Sequence, residues 1–126
     1  MITCSKTYAD IPFAHRQPNH DGHCSFIHGH NWSISIEFSS ERLDKNGFVV
    51  DFGKLKYIKK WIDENLDHAC LLNKNDPCLS EFLHSKYFKL FMIPDCSCEG
   101  LSAFLFKTLN DLVREQEGGR VKITKL

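Results

Sequence analysis

The clearest periodicity in the chain lies in Phe26-Ile27-His28-Gly29-His30-Asn31-Trp32-Ser33-Ile34-Ser35-Ile36-Glu37-Phe38-Ser39. His28, His30, Trp32, Ile34, Ile36 and Phe38 share one parity, while Gly29, Asn31, Ser33, Ser35, Glu37 and Ser39 share the other. Alternation of this kind specifies a half-buried strand with one apolar and one solvated face. An extended segment from about Thr3 to His15 is expected to pair with it across the polar loop Arg16 to Ser25. The turn Asp44-Lys45-Asn46-Gly47 then leads to a short predicted strand, Phe48 to Val50.

Downstream the period changes. Asp51 stands at an N-cap position ahead of Phe52, Leu55, Ile58, Ile62 and Leu66, which recur at helical spacing. Lys54, Lys56, Lys59, Lys60, Asp63 and Glu64 fall off that stripe, as a solvated face or as a guide for an anionic substrate. Leu66 to Asn73 reads as a loop, followed by Asp76-Pro77 and a short helix to about Ser85. A strand from Tyr87 to Ile93 is bounded by Pro94. A second long helix, about Cys98 to Glu115, carries Leu101, Leu105, Leu109 and Leu112, and Gly118-Gly119 stops it. Arg120 to Leu126 alternates as a final strand. The element order indicates an α+β fold.

The chain has 126 residues and a mass of 14.6 kDa, which suits a single domain over residues 1–126. Sixteen Lys and Arg balance sixteen Asp and Glu, which argues against a dedicated nucleic-acid binder. No apolar run approaches the ~20 residues that span a bilayer, and the opening Met-Ile-Thr-Cys-Ser-Lys does not read as an export signal, so a cytoplasmic protein is expected. On that reading the six cysteines are free thiols, and none sits in a CxxC pair.

Seven histidines are the notable feature of the composition. His28 and His30 lie two apart on a strand and so project from one face, a natural half of a zinc site. Gly29 between them leaves room for a close approach. His15, at the end of the pairing strand, is the candidate third ligand. Three imidazoles with no anionic ligand would leave the metal its full charge and an open position, the catalytic pattern. The same residues also suit loop and core histidines satisfied by hydrogen bonds, and His20 and His23 read as solvated loop residues. Cys24, four positions before His28, admits three roles: a thiolate base or nucleophile, a fourth ligand, or a buried thiol. A thiol held beside a divalent ion deprotonates readily. Asp67-His68 reads either as a proton-handling pair or as a helix-end charge beside an unrelated loop histidine.

Phe13-Ala14-His15-Arg16, Cys24-Ser25-Phe26-Ile27-His28-Gly29-His30-Asn31, Gly47-Phe48-Val49-Val50-Asp51-Phe52 and Leu66-Asp67-His68 with Leu72-Asn73 together resemble the 6-pyruvoyl-tetrahydropterin synthase and 6-carboxy-tetrahydropterin synthase family. The resemblance implies a tunnelling fold: an antiparallel four-stranded sheet with two long helices on one face, and subunits joined edge to edge into an oligomeric barrel. It implies one zinc ion per subunit on His15, His28 and His30, with Cys24 as the proton-abstracting base. Asp67 and His68 would be its relay partners across a subunit interface, and Glu99 a substrate-binding residue. The implied substrate is 7,8-dihydroneopterin triphosphate. The spacing of Cys24 before His28-Gly29-His30 resembles the 6-carboxy branch, whose product is 6-carboxy-5,6,7,8-tetrahydropterin on the deazapurine (queuosine) route, with triphosphate and acetaldehyde released. Alternatives are the 6-pyruvoyl reaction, a diverged zinc-binding paralogue with another small substrate, and a non-catalytic zinc-stabilised oligomer.

Two positions depart from the family pattern. The second helix opens Cys96-Ser97-Cys98-Glu99-Gly100 where the family has Pro-Thr-x-Glu-Asn, and Lys125 occupies the place of a pterin-anchoring Glu. A lysine adds donors where the pterin needs an acceptor.

Overall fold

The computed structural model describes all 126 residues. Strands β1 (Ile2–His15) and β2 (His28–Ser40) form a long antiparallel hairpin. It is followed by α1 (Lys56–Asn65), β3 (Ala69–Asn73), the short α2 (Leu79–Leu83), β4 (Lys89–Ile93), α3 (Cys98–Glu117) and β5 (Lys122–Lys125). The strands make one five-stranded sheet in the order β4-β3-β1-β2-β5. β1–β2 and β2–β5 are antiparallel, whereas β1–β3 and β3–β4 are parallel.

The α+β class holds, but the expected antiparallel four-stranded sheet is replaced by a mixed sheet of five strands. Two segments depart from the reading of the residues. Phe48 to Val50 is not a strand, because its backbone is bonded elsewhere. Asp44 Oδ1 accepts from the N–H groups of Asn46 and Phe48 at 2.8 and 2.9 Å. The Arg120 guanidinium donates to the Val49 carbonyl at 2.8 Å. Side-chain bonds, local from Asp44 and long-range from Arg120, take the place of the ladder. Conversely, Ala69 to Asn73 is not a loop but β3, with all five residues buried. A parallel strand covered on both sides shows no alternation, only a short apolar run.

The β1–β2 register runs from Ile2↔Ser40 to His15↔His28, broken once between Tyr8 and Ile11. There Asp10 adopts a left-handed φ of 58°, and the Asn31 amide donates to its carboxylate at 3.1 Å. This bulge inserts one residue and reverses the parity of β1. Cys4 and Tyr8 before it, and Ile11, Phe13 and His15 after it, therefore all face the core side. The opposite face of the hairpin, with Thr3, Ser5, Thr7, Asn31, Ser33 and Ser35, stays exposed.

The helices cover the apolar face. Leu55, Ile58, Ile62 and Leu66 lie along α1 and are fully or nearly fully buried, whereas Phe52 at the head of the same stripe stays half exposed. Asp51 does cap, but it caps a 3-10 turn (Phe52–Lys54), accepting from Gly53 N–H at 2.9 Å, and α1 begins after it. The Lys face of α1 is tied into its own helix by the pairs Lys59–Asp63 and Lys60–Glu64. In α3 the Ser97 hydroxyl accepts from Gly100 N–H at 2.9 Å, and Leu101, Leu105, Leu109 and Val113 are buried. Leu112, expected on that stripe, is only partly buried. Gly118, at φ 76°, closes the helix as the Gly pair predicts. No helix is long and apolar enough to cross a membrane. All six cysteines are free, with Cys70 and Cys96 buried and Cys24 and Cys98 exposed.

One side-chain amide of α3 ties down the edge strand β5. Asn110 Nδ2 donates to the Ile123 carbonyl at 3.0 Å, and its Oδ1 accepts from the Ile123 N–H at 2.8 Å. Asn110→Ala leaves both backbone groups of Ile123 without that partner. The expected cost is about 1–3 kcal/mol in urea unfolding, with faster amide exchange at Ile123.

Candidate metal centre

The hairpin register brings the site together. His15 is the cross-strand partner of His28, and Phe13 is the partner of His30. With the bulge in place, His15, His28 and His30 project from one face at the loop end of the hairpin. Their ring centroids lie 4.7, 5.3 and 4.9 Å apart. One ligating nitrogen from each can be chosen so that all three lie within 4.8 Å of one another.

Backbone carbonyls orient two of the rings. His15 Nδ1 is 2.7 Å from the buried Cys96 carbonyl, and His28 Nδ1 is 2.7 Å from the Phe26 carbonyl. A carbonyl only accepts, so each Nδ1 carries the proton and each Nε2 presents a lone pair. Gln17 Nε2 also donates to the Cys96 carbonyl, at 3.1 Å. Trp32 stands edge-on to His15 and His30, at 5.0 and 5.1 Å between centroids. Its ring stacks on Phe13 at 4.6 Å, and its indole N–H donates to the Phe13 carbonyl at 3.0 Å. Burial holds the His15 imidazole below its usual titration range. The Cys96 carbonyl opposes that shift, and the neighbouring His28 and His30 add to it. A neutral imidazole is the ligating form. His15 is buried and His30 exposed, so the cluster opens to solvent on one side.

This donor set fits zinc. Zinc–nitrogen bonds of about 2.0–2.1 Å along tetrahedral directions would need ligand atoms about 3.4 Å apart, within small side-chain rotations of the present arrangement. The cluster contains three imidazoles and neither a carboxylate nor a thiol. Cys24 stays outside it, exposed on the 3-10 turn His23–Ser25, so the geometry does not favour the fourth-ligand reading. The loop carrying Cys24 is anchored nonetheless. Gln17 N–H donates to the Cys24 carbonyl at 2.7 Å. Arg16 donates to the Ser25 carbonyl and grips the fully buried Asp76 carboxylate with two bonds of 2.8 and 3.1 Å. His20 and His23 stay in this loop, outside the cluster.

Asp67 and His68 meet each other rather than the cluster. His68 Nδ1 lies 2.9 Å from Asp67 Oδ1, and the His68 ring is largely exposed. Adjacent side chains meet here because His68 adopts a left-handed φ of 62°, at a cost of roughly 1–2 kcal/mol. Glu99 is exposed on the first turn of α3 and lines an open pocket of about 620 Å³ with Cys98, Ser102, Ala103, Phe106 and Leu126. The start of α3 lies near the histidine cluster, since Cys96 supplies the carbonyl that orients His15. Gly100 has a physical reason: a Cβ there would fall 2.5 Å from the Asp95 carboxyl carbon. Asp95 is itself held by the Ser97 N–H and hydroxyl at 2.9 and 3.0 Å. Lys125 pairs across the sheet with Glu37, whose carboxylate accepts from the Thr124 hydroxyl at 2.9 Å. Two groups here escaped the sequence reading. Gln17 shares the parity of His15 and was detectable by it, whereas the Glu37–Lys125 pairing was not, because the β2–β5 register shifts between Glu37 and Phe38.

Comparison with known proteins gives a consistent picture. The family model described as 6-pyruvoyl tetrahydropterin synthase matches residues 3–126. A Rickettsia felis protein named 6-carboxy-5,6,7,8-tetrahydropterin synthase is 40% identical over 77 residues, covering 60% of this chain and 55% of that protein. The chain thus spans little more than half the length of the Rickettsia relative. Proteins of the same name from Haemophilus influenzae and Aquifex aeolicus are 31% and 30% identical. Their matches cover 86% and 82% of this chain, and 82% and 67% of theirs. The solved structure of an uncharacterised protein from Wolinella succinogenes superposes with a TM-score of 0.81. The match covers 98% of this chain and 89% of that one, at 18% identity, and shows a shared fold.

His28→Ala and His30→Ala should each abolish stoichiometric zinc binding in metal analysis of the purified protein, while circular dichroism stays native. Gln17→Ala, which removes the brace on the Cys96 carbonyl and the 3.4 Å contact with His15 Nδ1, should weaken zinc by about ten-fold in a chelator competition.

Proposed function

The chain belongs to the 6-pyruvoyl tetrahydropterin synthase family, and we propose that it is a zinc-dependent, cytoplasmic 6-carboxy-5,6,7,8-tetrahydropterin synthase of the lyase type. The reaction takes 7,8-dihydroneopterin triphosphate, consumes water, and releases triphosphate and acetaldehyde on the deazapurine (queuosine) route. The observation that carries this reading is the three-imidazole cluster without an anionic ligand. The relatives bearing the 6-carboxy name support the choice of branch.

In this reading His15, His28 and His30 hold one zinc ion per subunit. A zinc ion held by these residues would supply Lewis-acid polarisation to the oxygens of the substrate side chain, so that the neighbouring C–H would become more acidic. Cys24 is the base that takes that proton. The turn that carries Cys24 is pinned to Gln17 and Arg16, two groups directly after the ligand His15, and this couples base and metal along one short loop. Asp67 accepts from His68 Nδ1–H, which leaves Nε2 to receive or deliver a proton on the opposite side of the substrate. The largely exposed His68 ring agrees with a relay completed by a neighbouring subunit in a homo-oligomer. Glu99 contributes a carboxylate for the pterin donors from the head of α3.

Lys125 favours a second reading, a diverged paralogue that keeps the metal and accepts a different small molecule. Against it, Glu37 sets a carboxylate beside Lys125 on the sheet, so an acceptor is present in that neighbourhood.

Zinc-loaded protein incubated with 7,8-dihydroneopterin triphosphate should yield 6-carboxytetrahydropterin and acetaldehyde by liquid chromatography and mass spectrometry. Full zinc occupancy without turnover would transfer the assignment to the paralogue reading. Cys24→Ala should keep its zinc and lose at least about 100-fold in turnover. Loss of the metal in that variant would make Cys24 a ligand and refute its role as base. Chelation should stop turnover while the fold persists, because the buried core is built without the metal. Unfolding on chelation would instead mark a structural, non-catalytic site.

A further inference from the structure

The contact between Asp67 and His68 is not a default of chain neighbours, whose side chains diverge in both helix and strand. It exists because His68 is held in the left-handed region, and that conformation needs anchors on either side. Two anchors are backbone: His68 N–H donates to the Pro12 carbonyl of β1 at 2.7 Å, and Ala69 N–H donates to the Leu66 carbonyl at 2.9 Å. The third is a side chain from the far side of β3. The Lys89 ammonium donates to the Asp67 carbonyl at 2.7 Å and to the Asp63 carbonyl, in the last turn of α1, at 2.9 Å.

Lys89 is the first residue of β4 and the register partner of Ala69, the residue after His68. Its side chain reaches back over the start of β3 to the end of α1. A lysine required only for solubility would keep its rotamer freedom rather than commit two of its three donors to backbone carbonyls. A simple helix-end cation would be satisfied by the Asp63 carbonyl alone. The bond to Asp67 lies beyond the helix, on the peptide group that joins Asp67 to His68.

We propose that Lys89 is the positioning residue of the Asp67–His68 pair, its ammonium pinning the Asp67 carbonyl so that the left-handed turn holds the imidazole against the carboxylate. The catalytic consequence rests on the reading of Asp67 and His68 as a proton relay. The structural consequence does not. With Lys89 removed, the turn loses its side-chain anchor and keeps only its backbone bonds, and His68 relaxes toward an ordinary backbone conformation in which its ring leaves Asp67.

The test uses zinc-loaded, full-length protein with 15N-labelled histidine. In the wild type the His68 ring should show a single Nδ1-protonated tautomer coupled to Asp67. Lys89→Met should convert it to the tautomer mixture of a solvated imidazole and raise exchange of the His68 amide about ten-fold or more. Zinc content should stay unchanged. Turnover of dihydroneopterin triphosphate should then fall roughly ten- to hundred-fold in kcat with little change in KM, and Lys89→Arg should restore both readouts. Should Lys89→Met fail to fold, Lys89→Gln supplies the same comparison with a neutral donor. An unchanged His68 tautomer and amide exchange in the folded variant would overturn the proposal. A wild type that does not turn over would refute the relay reading, while the ring signals would still decide the role of Lys89.

Discussion

Everything at the histidine cluster depends on the register between β1 and β2. Side chains on a strand alternate with period two, so a slip of one residue would send His15 to the opposite face from His28 and His30. The bulge at Asp10 is what reconciles two demands on β1. Its first half must bury Cys4 and Tyr8, and its last half must bury Ile11 and Phe13 and present His15. A regular strand cannot satisfy both, because residues 8 and 11 have opposite parity. The left-handed φ at Asp10 and the amide of Asn31 hold that correction in place.

Legibility in the sequence followed the physics of each element. The alternation of β2 was readable because one of its faces is wet, and the same alternation placed His28 and His30 together. α1 and α3 were readable because each buries a single stripe. β3 was hidden by the opposite circumstance: a strand buried on both sides carries no period, and Cys70-Leu71-Leu72 resembles any short apolar run. Phe48 to Val50 misled because its composition suits a strand, while Asp44 and Arg120, the latter some seventy residues away in sequence, take its backbone groups.

The site shows the same division. His15, His28 and His30 could be named from parity and resemblance, since a regular hairpin carries them. The Asp67–His68 contact could not be read from geometry, because it rests on one left-handed residue and no motif announces a positive φ at histidine. Nor could the brace of Gln17 and His15 on the Cys96 carbonyl, which joins residues about eighty positions apart. Tertiary hydrogen bonds to backbone carbonyls leave almost no trace in composition.

The placement of the thiols has a consequence for how the molecule ages. Cys70 and Cys96 are buried, and burial pushes the Cys96 thiol up to about 12, leaving it protonated and shielded at any physiological pH. Burial also raises Cys4 and Cys70. Peroxides and electrophiles must reach the sulfur, so damage is channelled to the exposed Cys24 and Cys98. The fold therefore survives an oxidative challenge longer than the residue assigned to proton abstraction, and a stock of this protein can look intact by every structural measure after its chemistry has been lost.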